Sequence, residues 1–129
     1  MSIFKNILAS SEDKKSNSAF AWNEITSMNQ LDSLTEASSE KPVIVFKHST
    51  RCSISRMALR QFEQNFDLQH KFTPYYLDLL ENREISNEIS SRFKVVHQSP
   101  QLIVIKEGKA IYNASHENIE AKQLEELSF

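Results

Sequence analysis

The sequence predicts an α/β fold with a central mixed sheet, made of three parallel strands and a C-terminal hairpin, flanked by helices on both faces. Three observations predict it. Apolar stretches of strand length alternate with stretches of helical periodicity, one strand candidate is apolar without interruption, and the single glycine falls between the last two strand candidates. Alternation of this kind calls for crossover connections, which make the crossed strands parallel and lay helices over both faces of the sheet.

A chain of 129 residues with 40% apolar and 25% charged content supports one ordinary domain with one core. From Ala9 to Ser18 the chain is rich in Ser, Lys, Glu and Asp and shows no periodicity, so residues 1–19 read as a flexible polar leader and residues 20–129 as the domain. Trp22 to Thr26 is the first strand candidate. Ser27 and Gln30 have capping-box spacing ahead of a helix carrying Leu31, Leu34 and Ala37. After Pro42, the run Val43, Ile44, Val45, Phe46 suits a strand covered on both faces. Ile54, Met57, Ala58, Phe62 and Phe66 then recur as the inward stripe of a helix should, with Cys52 just before it.

Tyr75 to Leu79 is the next strand candidate, its start set by Pro74, which cannot donate to a ladder. Asn82 is a plausible cap for a helix with Ile85, Ile89 and Phe93 on one face. Leu102 to Ile105 and Ala110 to Tyr112 flank Glu107-Gly108, where a hairpin turn needs a permissive backbone. Ile119, Leu124 and Leu127 predict a terminal helix. Trp22 and the phenylalanines stand at core-like positions and read as packing.

The formal net charge of −2 gives no reason to expect a nucleic-acid backbone or an anionic membrane as partner. Met1 to Leu8 is broken by Lys5 and lacks the apolar core of a signal peptide, and no later stretch has the length of a membrane span. The expectation is a soluble cytoplasmic protein whose thiols stay reduced. One cysteine cannot form an internal disulfide, and the four histidines show no metal-ligand spacing with it, so neither a metal nor a bound cofactor is expected. Nothing in the chain specifies an oligomeric state.

Cys52 is the candidate reactive residue. It follows a parallel strand and precedes a helix, the place where an open sheet collects its chemistry and where free amides and the helix dipole favour an anion. Between Lys41 and Gln61 the charged residues are Lys41, Lys47, Arg51, Arg56 and Arg60, with no acid before Glu63. Cations and a helix terminus lower a thiol pKa and so favour the nucleophilic thiolate. An isolated cysteine in a cytosolic domain is more often a small buried hydrophobe, and placement among cations at a strand-to-helix junction is what argues for reactivity. His48, the histidine nearest Cys52 in sequence, is a candidate to assist deprotonation, although strand-end histidines are more often solvated or bonded to backbone.

Ser99-Pro100 precedes a strand, Leu77-Asp78 closes one, and Glu107-Gly108 turns a hairpin. In this pattern the chain from Trp22 onward resembles the thioredoxin superfamily, in which a cis-proline loop faces the active-site cysteine. Within it, Lys47-His48-Ser49-Thr50-Arg51-Cys52-Ser53-Ile54-Ser55 together with His97-Gln98-Ser99-Pro100-Gln101 resembles the monothiol bacilliredoxin family, also called YtxJ-like. The resemblance implies removal of bacillithiol, or a similar low-molecular-weight thiol, from S-thiolated proteins. It implies that Cys52 attacks, that Arg51, Ser53, Ser55, Ser99 and Pro100 surround the substrate, and that Ser55 stands where a dithiol relative carries its resolving cysteine. Arg51 departs from the small or polar residue expected before the cysteine. Ser53-Ile54 replaces the glycine-phenylalanine of cluster-binding monothiol glutaredoxins. A redox-inactive binding module on the same scaffold and a single-cysteine redox sensor stay open as alternatives.

Overall fold

The computed structural model describes residues 20–127. The leader expected over residues 1–19 lies outside them. Strands β1 (Asn23–Glu24), β2 (Val43–His48), β3 (Thr73–Asp78), β4 (Gln101–Lys106) and β5 (Lys109–Ser115) form one sheet in the order β1-β3-β2-β4-β5. Helices α1 (Asn29–Ala37), α2 (Ser53–Asn65) and α3 (Arg83–Phe93) make the crossovers. β1 and β2 each run parallel to β3, whereas β4 pairs antiparallel with β2 and then with β5. This is the expected mixed sheet of three parallel strands and a C-terminal hairpin.

Strand alternation divides the core in two. Val43 and Val45 of β2 join Leu31, Leu34, Leu77, Ile85, Ile89, Phe93, Ile103 and Ile105 on the face covered by α1 and α3. Ile44 and Phe46 join Phe62, Phe66, Phe72, Leu102 and Val104 on the face covered by α2. All six residues of β2 are buried, which accounts for its unbroken apolar run. The same alternation sends Lys47 to the α1/α3 face and His48 to the α2 face. Trp22 is half-buried on the α2 face, stacked on Phe20 at 4.5 Å and donating through Nε1 to Glu63 at 2.6 Å.

Several elements differ from expectation for local reasons. β1 has two residues rather than five, with one further ladder bond from Ile25 to the Tyr76 carbonyl. Pro74 lies inside β3 instead of ahead of it, paired with Ile44. Its carbonyl accepts from the Asn23 side chain, so its missing N–H faces the β1 side, where the short β1 pairs only with Tyr75 and Tyr76. At α1 only half of the capping box forms: Gln30 Oε1 accepts from the amides of Thr26 and Ser27, while the Gln30 amide donates to the Ser27 carbonyl at 3.2 Å and not to its hydroxyl. Ser38, not Ala37, takes the buried place at the end of α1, and its hydroxyl accepts from the Gly108 amide.

Glu107 and Gly108 both have positive φ, 51° and 76°, the signature of a two-residue type I′ hairpin turn. The expected terminal helix is instead two short 3₁₀ segments, His116–Asn118 and Ala121–Glu126. Ala121 and Leu124 are three residues apart and both buried, so a three-residue turn delivers the pair to the α2 face. In α2 the buried stripe is Ser55, Phe62 and Phe66, with Ala58 and Leu59 half-buried. Ile54 and Met57, expected inside, are 64% and 58% exposed.

Candidate active site around Cys52

β2 ends at His48, and residues 49–52 carry the chain to α2, whose N-cap is Cys52 in extended backbone geometry, φ −101° and ψ 121°. The Cys52 amide donates to the Ser49 carbonyl and the Cys52 carbonyl accepts the Arg56 amide, so the connection is a closed turn. Cys52 is half-buried and free. No acid lies in the first turn of α2, and no side chain caps it, so the free amides and dipole at this terminus stand uncompensated beside the thiol.

The loop is held from below. Ser55 is fully buried; its Oγ accepts from the Ser49 amide at 3.1 Å and lies 2.7 Å from His48 Nδ1. The Ser49 amide takes one Ser55 lone pair, and either the hydroxyl or Nδ1 supplies the proton between Ser55 and His48, according to the ring tautomer. Burial, first, and then Arg56 push the His48 pKa down, against opposing effects of Asp78 and Ser55, and the net lowering agrees with a neutral ring. His48 is thus buried, with Nδ1 against the Ser55 hydroxyl rather than in solvent. Arg56 Nη1 donates to the Thr50 carbonyl at 3.0 Å, and Asp78 receives the Leu80 amide on Oδ1 at 3.1 Å with the Thr50 hydroxyl 3.4 Å from Oδ2. The 49–52 loop is therefore tied both to α2 and to the turn after β3.

The cationic run in the sequence is dispersed in space. Lys41 stands before the first residue of β2, at the opposite end from Cys52, and donates to the Gln69 carbonyl. Lys47 is fully buried on the α1/α3 face, its Nζ 3.3 Å from Ser90 Oγ, and burial lowers its pKa to about 8. Arg51 and Arg56 alone of the five share the loop and first helical turn with Cys52. Strand geometry is the reason: six extended residues span about 20 Å and alternate sides.

Ser99-Pro100 is a cis peptide bond, as the superfamily resemblance implied. Pro100 is buried and precedes β4, whose first residue, Gln101, pairs with Lys47, so this loop and the Cys52 loop occupy the same end of adjacent strands. Gln101, also buried, fixes the preceding loop by donating to the Val96 carbonyl at 3.0 Å and accepting from the Gln98 amide at 3.3 Å. Ser99 Oγ is buried without a hydrogen-bond partner. Arg51 and Ser53 are exposed beside Cys52, as is Ile54. Of the expected site residues, Cys52, Arg51, Ser53, Ser99 and Pro100 thus gather at one end of the sheet, while Ser55 lies beneath them with its hydroxyl internally engaged. Periodicity hid Ser55, since it fills an inward position with a polar side chain. Among the described residues no group of three His, Cys, Asp or Glu is placed to hold a metal ion, and no helix is long and apolar enough to cross a membrane.

The family model of monothiol bacilliredoxin BrxC matches residues 23–124, from β1 into the second 3₁₀ segment. The chain belongs to the monothiol bacilliredoxin family. Solved structures agree on the fold. A candidate oxidoreductase with a thioredoxin fold is 31% identical, with 79% of this chain and 88% of that chain covered and a TM-score of 0.69. The thioredoxin Mala s 13 of Malassezia sympodialis is 19% identical over 87% of this chain and 91% of its own, TM-score 0.65. Mitochondrial thioredoxin 3 of Saccharomyces cerevisiae is 14% identical over 81% and 90%, TM-score 0.61. This bacilliredoxin has the thioredoxin fold, and its family supports thiol redox chemistry.

Proposed function

We propose that this bacilliredoxin removes bacillithiol, or a chemically similar low-molecular-weight thiol, from S-thiolated proteins by exchange at Cys52. The observation that carries the reading is a lone, half-buried thiol at the N-cap of α2, with a buried, fully engaged serine three residues on. The Cys52 thiolate attacks the small-thiol sulfur of the mixed disulfide; the S–S bond breaks, and the target leaves as thiolate and takes a proton from solvent. Cys52 then holds the small thiol as a new mixed disulfide. With no second cysteine in the chain, a free external thiol attacks that adduct and restores the Cys52 thiolate. Arg51, Ser53, Ser99 and Pro100 border the approaching disulfide, and His48 with Ser55 positions the loop.

Intact mass after mixing reduced protein with a bacillithiolated target tests the reading. Gain of one adduct by the protein, matched by its loss from the target, is expected. Cys52→Ser, close in size to the native residue, abolishes transfer and leaves the fold unchanged. Transfer by the serine variant, or no transfer by the native protein, would sink the proposal.

A further inference from the structure

On α3, Arg83, Ser86 and Ser90 recur at i, i+3 and i+7 and share one face. Two of them meet groups from other elements. Ser90 Oγ receives the buried Lys47 ammonium, and Ser86 Oγ, also buried, lies 3.4 Å from His97 Nδ1. His97 sits on the loop that Gln101 pins, one residue after the carbonyl that accepts its amide. Among the described residues Lys47, Arg83 and His97 take part in no ion pair. Burial, Lys47 and Arg83, in that order, push the His97 pKa down, and no carboxylate opposes them. Ser86, on the same helix face as Arg83, brings His97 to these cations, an arrangement that an incoming anion would relieve.

The place matters as much as the charge. α3 starts after the carboxyl end of β3, Cys52 follows the carboxyl end of β2, and the 96–100 loop leads into the strand residue paired with Lys47, so all three lie at one end of the sheet. His97 and Arg83 are exposed. The Ser86 hydroxyl engages Nδ1, which leaves Nε2 of the exposed ring for a ligand, and among the described residues the Arg83 guanidinium makes no ion pair.

We infer that Arg83 and His97, backed by Ser86 and by the buried charge of Lys47, form a carboxylate site that selects the acidic small thiol whose sulfur is exchanged at Cys52. The inference rests on the proposed exchange reaction and adds the residues that read the charge of its substrate, favouring thiols with a carboxylate over neutral ones. The carboxylate takes the Nε2–H and guanidinium hydrogen bonds, leaving the thiol sulfur to Cys52.

The test uses one cysteine peptide without acidic residues, capped either with 3-mercaptopropionate or with 2-mercaptoethanol, so that any charge preference comes from the cap and not from the target. The native protein removes the carboxylated cap with the higher kcat/KM. Arg83→Ala and His97→Ala each lower the carboxylated-to-neutral ratio, together by about fivefold, the size of one or two exposed charge pairs. A ratio unchanged in both variants overturns the inference, as does an equal loss on both caps. A second readout needs no turnover: in the Cys52→Ser protein, S-methylglutathione raises the His97 titration midpoint followed by NMR, whereas 2-(methylthio)ethanol does not. A midpoint unmoved by S-methylglutathione at up to roughly 50 mM, where a millimolar site is filled, overturns the site. A native protein that removes neither cap while His97 still responds to the carboxylate fails the exchange reading and leaves the site standing.

Discussion

The two faces of the sheet end differently at the active end, although they are built from the same strand. On the α2 face the core is aromatic, with Phe20, Trp22, Phe46, Phe62 and Phe66 in successive ring contacts, and it finishes in His48, whose polar ring is satisfied by Ser55. On the α1/α3 face the core is mainly aliphatic, with Phe93 its one buried ring, and finishes in Lys47, whose ammonium has one serine partner at 3.3 Å. Neighbouring residues of β2 thus make a closed polar network on one side and an undercompensated buried charge on the other. A buried cation with so little to neutralise it lowers stability. The satisfied side holds the Cys52 loop, whereas the unsatisfied side retains a cation at the expense of the fold.

Removing a ring from the aromatic face has the largest expected effect. Phe62 is almost fully buried and touches Phe20, Trp22, Phe46 and Phe66. Phe62→Ala destabilises the protein by about 4 kcal/mol, the usual size for a buried ring, read as a shift in the urea midpoint. Ile89→Ala on the aliphatic face costs about 3 kcal/mol. Equal losses below about 1 kcal/mol would mean that neither face is packed as described.

Lys47→Met comes next, with the opposite sign. The fold lowers the Lys47 pKa from 10.5 to about 8, so the folded state binds fewer protons than the unfolded state between those values and stability rises with pH there. Below pH 8 the penalty is fully present, at most about 3 kcal/mol at roughly 1.4 kcal/mol per unit. Met fills the same space without charge, so at pH 7 the variant is the more stable, and the difference closes as pH rises through 8 toward 10.5. Paired urea titrations at pH 7 and pH 10 check both statements. A variant less stable than the native protein at pH 7 would show that the ammonium is well compensated and erase the contrast between the faces.

The sequence exposed the division of the core better than it exposed these polar ends. Four consecutive apolar residues at 43–46 announced a strand covered on both sides, and Glu107-Gly108 announced its hairpin. Lys47 and His48 read only as a cation and a histidine near the cysteine, because their fates depend on alternation continuing one residue past the apolar run. Apolar periodicity set Ile54 and Met57 inside α2, and the true inward position is Ser55, recognisable only by its spacing from Phe62 and Phe66. The cation run looked dense because sequence distance does not register a strand that separates Lys41 from Cys52 by its full length. Residues 116–126 carry too few apolar positions to distinguish an α-helix from short 3₁₀ turns.

Ser55→Ala probes the closed network directly. The change leaves the part-buried Ser49 amide without its acceptor and His48 Nδ1 without its partner, at a cost of about 2 kcal/mol. It also frees the loop before Cys52, so hydrogen exchange at Ser49 quickens more than exchange in β4. Unchanged protection at Ser49 would show that the turn is held by Cys52 and Arg56 bonds alone.

The smallest effect on stability, about 1 kcal/mol, is expected for Ser55→Cys, since a thiol keeps the shape of the hydroxyl but hydrogen-bonds the Ser49 amide and His48 more weakly. Its chemical consequence is larger. Residue 55 lies three positions beyond Cys52 in the first turn of α2, on the same helix face, so two thiols there are within plausible disulfide reach given suitable side-chain geometry. The second thiol competes with free thiol at high effective concentration and attacks the Cys52 sulfur of the adduct, expelling the small thiol as the internal disulfide forms. After oxidation with the small-thiol disulfide, the native protein carries one adduct, whereas the variant loses two hydrogens and carries none. The difference sharpens the comparison of the two faces. On the α2 face a substitution keeps the polar network nearly intact while adding a redox function, because the serine is already held beneath the cysteine. A variant that retains its adduct would mean that residue 55 is turned away from Cys52, toward His48 alone, and that the network on this face positions the loop without addressing the sulfur.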